Sequence, residues 1–340
     1  MGASERMCRL ALAHLEFLRP REKLGLVEML GGAARLFELS LGDIAALTGR
    51  RLRTTLWDPE RVLAEAADTE KRLTGGLMGS IFYWDAAYPP LLREIYDPPA
   101  VLFWRGTPPR HDARLAAIVG TRLPTGAARK ASFRLAFALA QEGVGTVSGL
   151  ARGIDSEAHG GCLAGGGYTV AVLGSGIDIV SPSSSRGLGR AMLQAGGTIL
   201  SEYPPGTLPM KHHFPARNRI ISGLARAVVV VQAPERSGAL ITAEYALEQG
   251  RDLCVHADGL VGSAGAGTRA LAESGAPVIG GSAECLAEWG LSPTVRPSPI
   301  LEISRMRLSG EEVGPALARR LRAEIEGSCA LQGGEAYWRE

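Results

Sequence analysis

Between residues 115 and 280 the chain repeats one pattern: a short apolar run of strand length, then a stretch long enough for a helix. The runs lie at 116–119, 145–147, 169–173, 198–200, 228–231, 253–255 and 277–279, and the helix-like segments at 126–141, 155–164, 186–195, 238–249 and 282–289. Runs this short and this uniformly apolar suit strands covered on both faces, which is the condition of a parallel sheet. Their alternation with helices predicts a doubly wound parallel sheet of the extended Rossmann-like α/β class. Few other architectures accept such a chain.

Open sheets of this kind hold ligands outside the carboxyl ends of their strands, so those ends are the places to look for chemistry. Gly120-Thr-Arg122 follows the first run, Ser148-Gly-Leu-Ala-Arg-Gly-Ile-Asp155 the second, Gly174-Ser-Gly-Ile-Asp178 the third and Ser201-Glu202 the fourth. Ser237-Gly238 opens the helix after the fifth. Glycine lets the main chain approach a ligand, and helix amino termini offer unpaired N–H groups and positive partial charge. Together these ends form an anion-binding rim. Between the fourth and fifth runs stands a long polar connection carrying Lys211, His212, His213, Phe214, Arg217, Asn218 and Arg219. Cations for phosphate, a ring for stacking and an amide for base edges suit a polyanion with flat bases.

Other chemistries find less support. Gly174-x-Gly176 has Ile179 where the dinucleotide fingerprint requires its third glycine, and the match follows the third strand rather than the first. No Walker A loop occurs, so neither a dinucleotide nor ATP is expected, and no cofactor is assigned. Ser148, Asp155 and His159 supply triad residue types without a G-x-S-x-G elbow, so structural hydrogen bonding is the expectation for them. His212 and His213 are adjacent and diverge, with no acidic partner at metal-ligand spacing; they are read as donors near phosphate, and no metal site is expected. Net charge is only +2, so any nucleic-acid site is a local patch. Five scattered cysteines without C-x-x-C spacing point to a reducing, cytoplasmic setting. No apolar run approaches the roughly 20 residues of a membrane span, and the start of the sequence lacks a secretion signal.

The flanks differ from the middle. Residues 1–75 read as several short helices, with Leu10, Leu12, Leu15 and Leu18 at helical spacing, Pro20 as a break, and Leu24, Val27, Met29 and Leu30 beginning another run. Residues 75–110 are rich in aromatics and proline, which fits short strands forming an extra edge of the sheet, their rings packed inward. Prolines make 292–299 a linker, followed by a helical pattern at 313–326 and a hairpin around two glycines at 331–338. The expected division is a helical domain at 1–75, the sheet domain at 76–290 and a small unit at 300–340.

The motifs resemble those of the DprA/Smf family of DNA-processing proteins. The resemblance rests on Ile118-Val-Gly-Thr-Arg122, Ser148 to Asp155 with Ala158-His159, Gly167-Tyr-Thr-Val-Ala-Val-Leu-Gly174, Ser201-Glu-Tyr-Pro204, Phe214-Pro-Ala-Arg-Asn-Arg219, and Ser237-Gly238 with Thr242-Ala243, in that order. It implies binding of single-stranded DNA, delivery of that DNA to the RecA recombinase during natural transformation, a homodimer, and no catalysis. By the same resemblance Arg122 and Lys211 contact phosphates, Phe214 stacks on a base, and Arg217 and Asn218 shape the pocket or reach base edges. Ser148, Gly149, Gly174 and Ser237 line it, and Arg219 and Gly238 complete the DNA-binding set. The amino-terminal helices resemble a sterile-alpha-motif-like module, and the carboxyl-terminal segment resembles the end of a winged helix, short for a complete one. The chain departs from the family at Ser181-Pro182, at His256-Ala-Asp-Gly259 and at Arg269, all expected on one rim, as a pocket wall or a dimer face.

Two other readings stand beside this one. Nucleotide phosphoribohydrolases of the LOG type resemble the same fold, and Glu244 would then stabilise an oxocarbenium-like transition state. A scaffold that binds only protein partners is the third.

Overall fold

The computed structural model of the chain describes residues 4–54, 56–74 and 77–289, and the backbone of 330–332 and 335–337. The linker expected at 292–299 and the helix expected at 313–326 lie outside the described residues. Ala330–Gln332 and Glu335–Tyr337 pair antiparallel, Leu331 opposite Ala336, as the two glycines between them predict.

Four helices come first: α1 (Glu5–Ala11), α2 (Pro20–Leu30), α3 (Leu41–Thr48) and α4 (Pro59–Thr74). Their ends follow local chemistry. Pro20 opens α2 in the first turn, where its missing N–H costs nothing, and Gly31 closes it with φ +73°. Ser40 and Asp43 cap α3 reciprocally, Ser40 Oγ accepting from the Asp43 N–H at 3.2 Å and Asp43 Oδ2 accepting from the Ser40 N–H at 3.0 Å. The leucine spacing is only half a helix signal. α1 stops at Ala11 and Leu12–His14 forms a 3₁₀ turn, yet Leu10, Leu12, Leu15 and Leu18 are all 3% exposed or less. Their periodicity reports burial, and irregular chain carries the last two inward. Met29, expected on an apolar stripe, is exposed.

The remaining helices are α5 (Pro90–Arg93), α6 (Gly126–Gln141), α7 (Ile154–Ala164), α8 (Arg186–Gln194), α9 (His213–Leu224), α10 (Gly238–Glu248), α11 (Ala266–Glu273) and α12 (Ser282–Glu288). The strands are β1 (Met78–Phe82), β2 (Val101–Gly106), β3 (Leu115–Val119), β4 (Gly145–Ser148), β5 (Thr169–Val172), β6 (Thr198–Ser201), β7 (Ala227–Val230), β8 (Asp252–His256) and β9 (Val278–Ile279). These nine form one sheet in the order β1-β2-β6-β5-β4-β3-β7-β8-β9. From β6 to β9 every neighbouring pair is parallel, while β2 runs antiparallel to both β1 and β6 and makes the extra edge. The doubly wound α/β class is thereby established.

Strand periodicity divides the core. Ala116 and Ile118 of β3 join Ala227 and Val229 of β7 under α6 and α7, whereas Ala117 and Val119 join Val228 and Val230 under α9 and α10. A third buried cluster runs from Cys8 through Leu73 to Val101, Phe103, Ala171 and Ile199, so the amino-terminal helices and part of the sheet share one apolar core. Of the aromatics of 75–110, Tyr88 and Phe103 pack inward as expected and are fully buried, Tyr88 Oη donating to the Pro99 carbonyl at 2.8 Å, whereas Tyr96 is exposed with the Arg21 guanidinium 4.3 Å from its centroid.

One helix goes unread in the sequence. The connection from β6 to β7 contains α9, twelve residues beginning at His213. It carries the chain back past β5, β4 and β3 to set β7 beside β3. Its buried residues are His213, Arg217, Arg219 and the run from Ile220 to Leu224; Arg217, Ile220, Ile221 and Leu224 among them have helical spacing, but arginines at buried positions hide the stripe. The sheet therefore reverses direction between β3 and β7, and at such a switch point the strand ends diverge and leave a crevice.

Candidate nucleic-acid interface

A cavity of about 690 Å³ occupies that crevice. Its floor is the chain leaving β3 (Gly120 to Leu123) and β4 (Gly149 to Arg152), one wall is α9, and the other is the turn from Pro234 to the start of α10. Arg122, Arg152, Lys211 and Arg236 line it as exposed side chains and Arg217 as a buried one, against a single carboxylate, Asp155. Among the described residues none of these five cations has a carboxylate within salt-bridge distance.

Arg217 is the buried one of the five. Its guanidinium donates to the carbonyls of Val172 and, at 3.1 Å, Gly149, and its Nε donates to Asn218 Oδ1 at 3.2 Å. Burial pushes its pKa down to about 10, Arg122 adding to that and Asp155 opposing it, so it stays charged at neutral pH. Gly149 leaves room for that guanidinium: a Cβ would stand 2.6 Å from Arg217 Nη2, and the side chain would have to shift. Asp155 turns away to accept from the N–H groups of Gly149 at 3.0 Å and Ala151 at 3.4 Å. Burial raises its pKa, and Arg217 and those N–H groups limit the rise. Leu150, between them, has φ +56°, a conformation costing a branched residue about 1–3 kcal/mol, and its fully buried side chain holds the turn in place.

Phe214, half-buried in the first turn of α9, presents its ring to the cavity with the Arg122 guanidinium 5.9 Å from its centroid. The opposite wall is a helix amino terminus. Ser237 caps α10, its Oγ accepting from the Ala239 N–H at 3.2 Å, and Ser237, Gly238, Ala239 and Thr242 line the cavity. Asn218 ties the walls together, its Nδ2 donating to the Gly238 carbonyl at 3.0 Å.

The structure thus gathers Arg122, Lys211, Phe214, Arg217, Asn218, Gly149, Ser237 and Gly238 around one space. Three residues of the expected set do not line it. Arg219 is 6% exposed and pairs through two nitrogens with Glu202 at 2.7 Å each, its Nε donating to the Asp97 carbonyl at 2.9 Å. Burial opposes its charge, but Glu202 and Asp97 outweigh it and its pKa is raised. Ser148 is fully buried and donates to the Ile118 carbonyl at 2.7 Å. Gly174 lies beneath Phe214, where a Cβ would come within 3.0 Å of the ring. It supports the aromatic rather than facing a ligand.

Of the two loop histidines, His213 differs from expectation, whereas His159 has the structural hydrogen bond expected of it. His213 is buried, stacks on Tyr203 with ring centroids 3.9 Å apart, and places Nδ1 3.2 Å from the Gly174 carbonyl. That carbonyl can only accept, so Nδ1 carries the proton and is unavailable to phosphate. His159 is fully buried with Nδ1 2.7 Å from Thr169 Oγ1, and burial, followed by the charge of Arg217, pushes its pKa down to about 3. Of the departures, Ser181 and Pro182 line the cavity, whereas His256 to Gly259 and Arg269 do not. His256 Nδ1 accepts from the Asp258 N–H at 3.2 Å, and Arg269 holds the carbonyls of Leu260 and Gly262 at 2.6 and 2.7 Å. Glu244 is exposed on α10 outside the cavity, which removes the residue the hydrolase reading needs. Two cations went without a role in the sequence, Arg152 and Arg236. Each sits within three residues of a glycine at a strand or helix end, and that adjacency is the signal that could have found them.

Fold and site together define a doubly wound α/β protein with a cationic, aromatic-walled cavity at its topological switch point. The chain belongs to the DNA recombination-mediator protein A family, the DprA/Smf proteins, whose family model matches residues 79–290. The Smf protein of Synechocystis is 44% identical over 213 residues, 62% of this chain and 53% of that protein, so the alignment spans about half the relative's length. DprA of Streptococcus pneumoniae is 36% identical over 255 residues, 74% of this chain and 88% of the relative. Its crystal structure superposes with a TM-score of 0.68 at 34% identity, covering 85% of this chain and 99% of that one. The Helicobacter pylori DprA structure, which describes a single-stranded DNA binding mode of that protein, matches with a TM-score of 0.55 at 27% identity, covering 64% of this chain and 97% of that one.

Proposed function

We propose that this chain binds single-stranded DNA in the switch-point cavity, with phosphates against Arg122, Lys211, Arg152 and Arg236 and a base on Phe214. One observation carries the reading: five cations with no salt-bridge partner among the described residues converge on a space whose wall is an aromatic ring. A buried guanidinium held only by carbonyl and amide oxygens, as Arg217 is, gains most from an anion that replaces lost water. The phosphate backbone supplies that anion in repeat, and base stacking adds about 1–3 kcal/mol per base without sequence preference. Family membership and the binding mode described for the H. pylori protein support the same ligand. Membership also supports the rest of the proposal, in which a cytoplasmic homodimer protects incoming DNA and delivers it to RecA during transformation and recombination.

The test is titration of oligo-dT by mobility shift at several salt concentrations. Charge reversal at Arg122 or Lys211 is expected to weaken binding and flatten the salt slope by about 0.7 for each phosphate that is no longer neutralised. Unchanged slopes remove those residues from the site.

A further inference from the structure

A second and larger cleft opens beyond the first, between the amino-terminal helices and the turn that follows β6. It encloses about 1550 Å³, above the roughly 300–1,000 Å³ of small-ligand pockets and of a size for a length of polymer. Six arginines and four carboxylates line it. Arg50, Arg61 and Arg72 are already paired, with Glu22, Glu65 and Asp68. Arg19, Arg51 and Arg53 are exposed and have no ion pair among the described residues. Trp57 stands in the same wall, its indole N–H donating to the Leu39 carbonyl at 2.8 Å and its ring stacked on Phe37 with centroids 5.9 Å apart. Phe17 meets the same ring edge-on with centroids 5.7 Å apart, so the indole is a fixed part of the cleft wall and the unpaired arginines are what a strand would meet.

The two cleft linings nearly meet. Thr207 lines the second and Lys211 the first, four residues along one segment, so their main chains are at most about 14 Å apart. A few nucleotides of an extended single strand cover that gap. The turn is anchored to the same rim: the Gly176 N–H donates to the Thr207 carbonyl at 2.9 Å, and the Gly206 N–H donates to Asp178 Oδ1 at 2.8 Å.

We propose that single-stranded DNA leaving the first cavity past Lys211 crosses the segment from Thr207 to Lys211 and lies in the second cleft, its phosphates against Arg51 and Arg53. The inference rests on the DNA-binding reading above and extends it to a site continuous across the sheet rim and the helical segment. A strand held in both places is long, and its affinity grows with length until the second cleft is filled.

The experiment compares six- and twenty-nucleotide oligo-dT on the full chain, over a range of salt, for the wild type, Arg122→Glu and the double variant Arg51→Glu/Arg53→Glu. The double variant is expected to bind the short oligonucleotide within about twofold of wild type. It should bind the long one at least about tenfold more weakly, with a salt slope flatter by about 1.4 for two phosphates set free. Arg122→Glu is expected to weaken both lengths. Unchanged binding of the long strand by the double variant overturns the extended path, and so does an equal loss at both lengths, which signifies a general field effect. If poly-glutamate binds the wild type and is lost in the double variant while the long DNA is unaffected, the cleft belongs to an acidic protein and the proposal fails. A wild type that binds neither oligonucleotide overturns both this path and the reading beneath it. Thermal melting checks folding, and Arg51→Gln/Arg53→Gln repeats the test should the charge reversals unfold the chain.

Discussion

Arg217 and Arg219 stand two residues apart on α9 and are almost equally buried, at 5% and 6% exposure, yet their surroundings are opposite. Arg219 faces the chain before β2 and after β6, where Asp97 and Glu202 satisfy it. Arg217 faces the cavity, where only carbonyl and amide oxygens meet it. One is the fixed half of an ion pair that joins α9 to its neighbours; the other has no salt bridge among the described residues, only the field of buried Asp155 beyond salt-bridge distance, and stands beside an open space. The lesson is that burial alone does not sort ion-paired cations from those that face a cavity. The partner does, because a buried charge is stable only where an opposite charge or a dense set of dipoles repays its lost hydration.

The largest expected effect breaks or keeps this contrast directly. Arg219→Met leaves Glu202 facing an apolar side chain and is expected to cost about 3 kcal/mol, since removing one partner of a buried pair strands the other. Denaturant unfolding reads it, and DNA affinity at saturating folded protein should hardly move. A stable variant that loses affinity instead would reverse the roles of the two arginines. Next comes Phe214→Ala, expected to weaken oligo-dT binding by about 1–3 kcal/mol with little change in salt slope; unaltered affinity would make the ring a packing residue.

The charge of Arg217 is also legible through His159. Burial and that charge hold the histidine neutral, with a pKa of about 3, against roughly 6.5 in an unfolded chain. The unfolded state therefore binds a proton that the folded state refuses. Stability from this group is fully present above about pH 6.5 and is lost as pH falls toward 3, by up to about 1.4 kcal/mol per pH unit. His159→Gln is expected to flatten the acid limb of a stability-versus-pH curve; an unchanged limb would mean that other groups carry it. The smallest effect is at Glu244, exposed and outside the cavity. Glu244→Gln should leave oligonucleotide binding within about 0.5 kcal/mol, and release of free base by the wild type, lost in this variant, would restore the hydrolase reading.

Much of the fold was legible because buried parallel strands write a distinctive sequence. Val228 to Val231 and Thr169 to Leu173 admit few other readings, and α6 begins at the Thr125 cap, where the apolar pattern starts. α9 was not legible, because an arginine occupies the buried stripe and pattern reading places arginine outside. The expected site divides in the same way. Arg122, Lys211 and Phe214 are exposed or half-buried, and the cavity gathers them. Ser148 and Gly174 belong to the same strand ends, but their sides of the backbone face Ile118 and Phe214.

By itself, then, the sequence determined a parallel α/β sheet, a rim of glycines at its strand ends, and a cluster of cations with one aromatic in the connection before β7. These are properties of composition and period along the chain. Which arginine meets the cavity was decided only by tertiary structure. Residues two apart on a helix point about 200° away from each other, so Arg217 and Arg219 cannot share a face. The rotation of α9 that turns one of them to the cavity is set by Ile220, Ile221 and Leu224 packing on the sheet, an arrangement that exists only once strands far apart in the chain have come together.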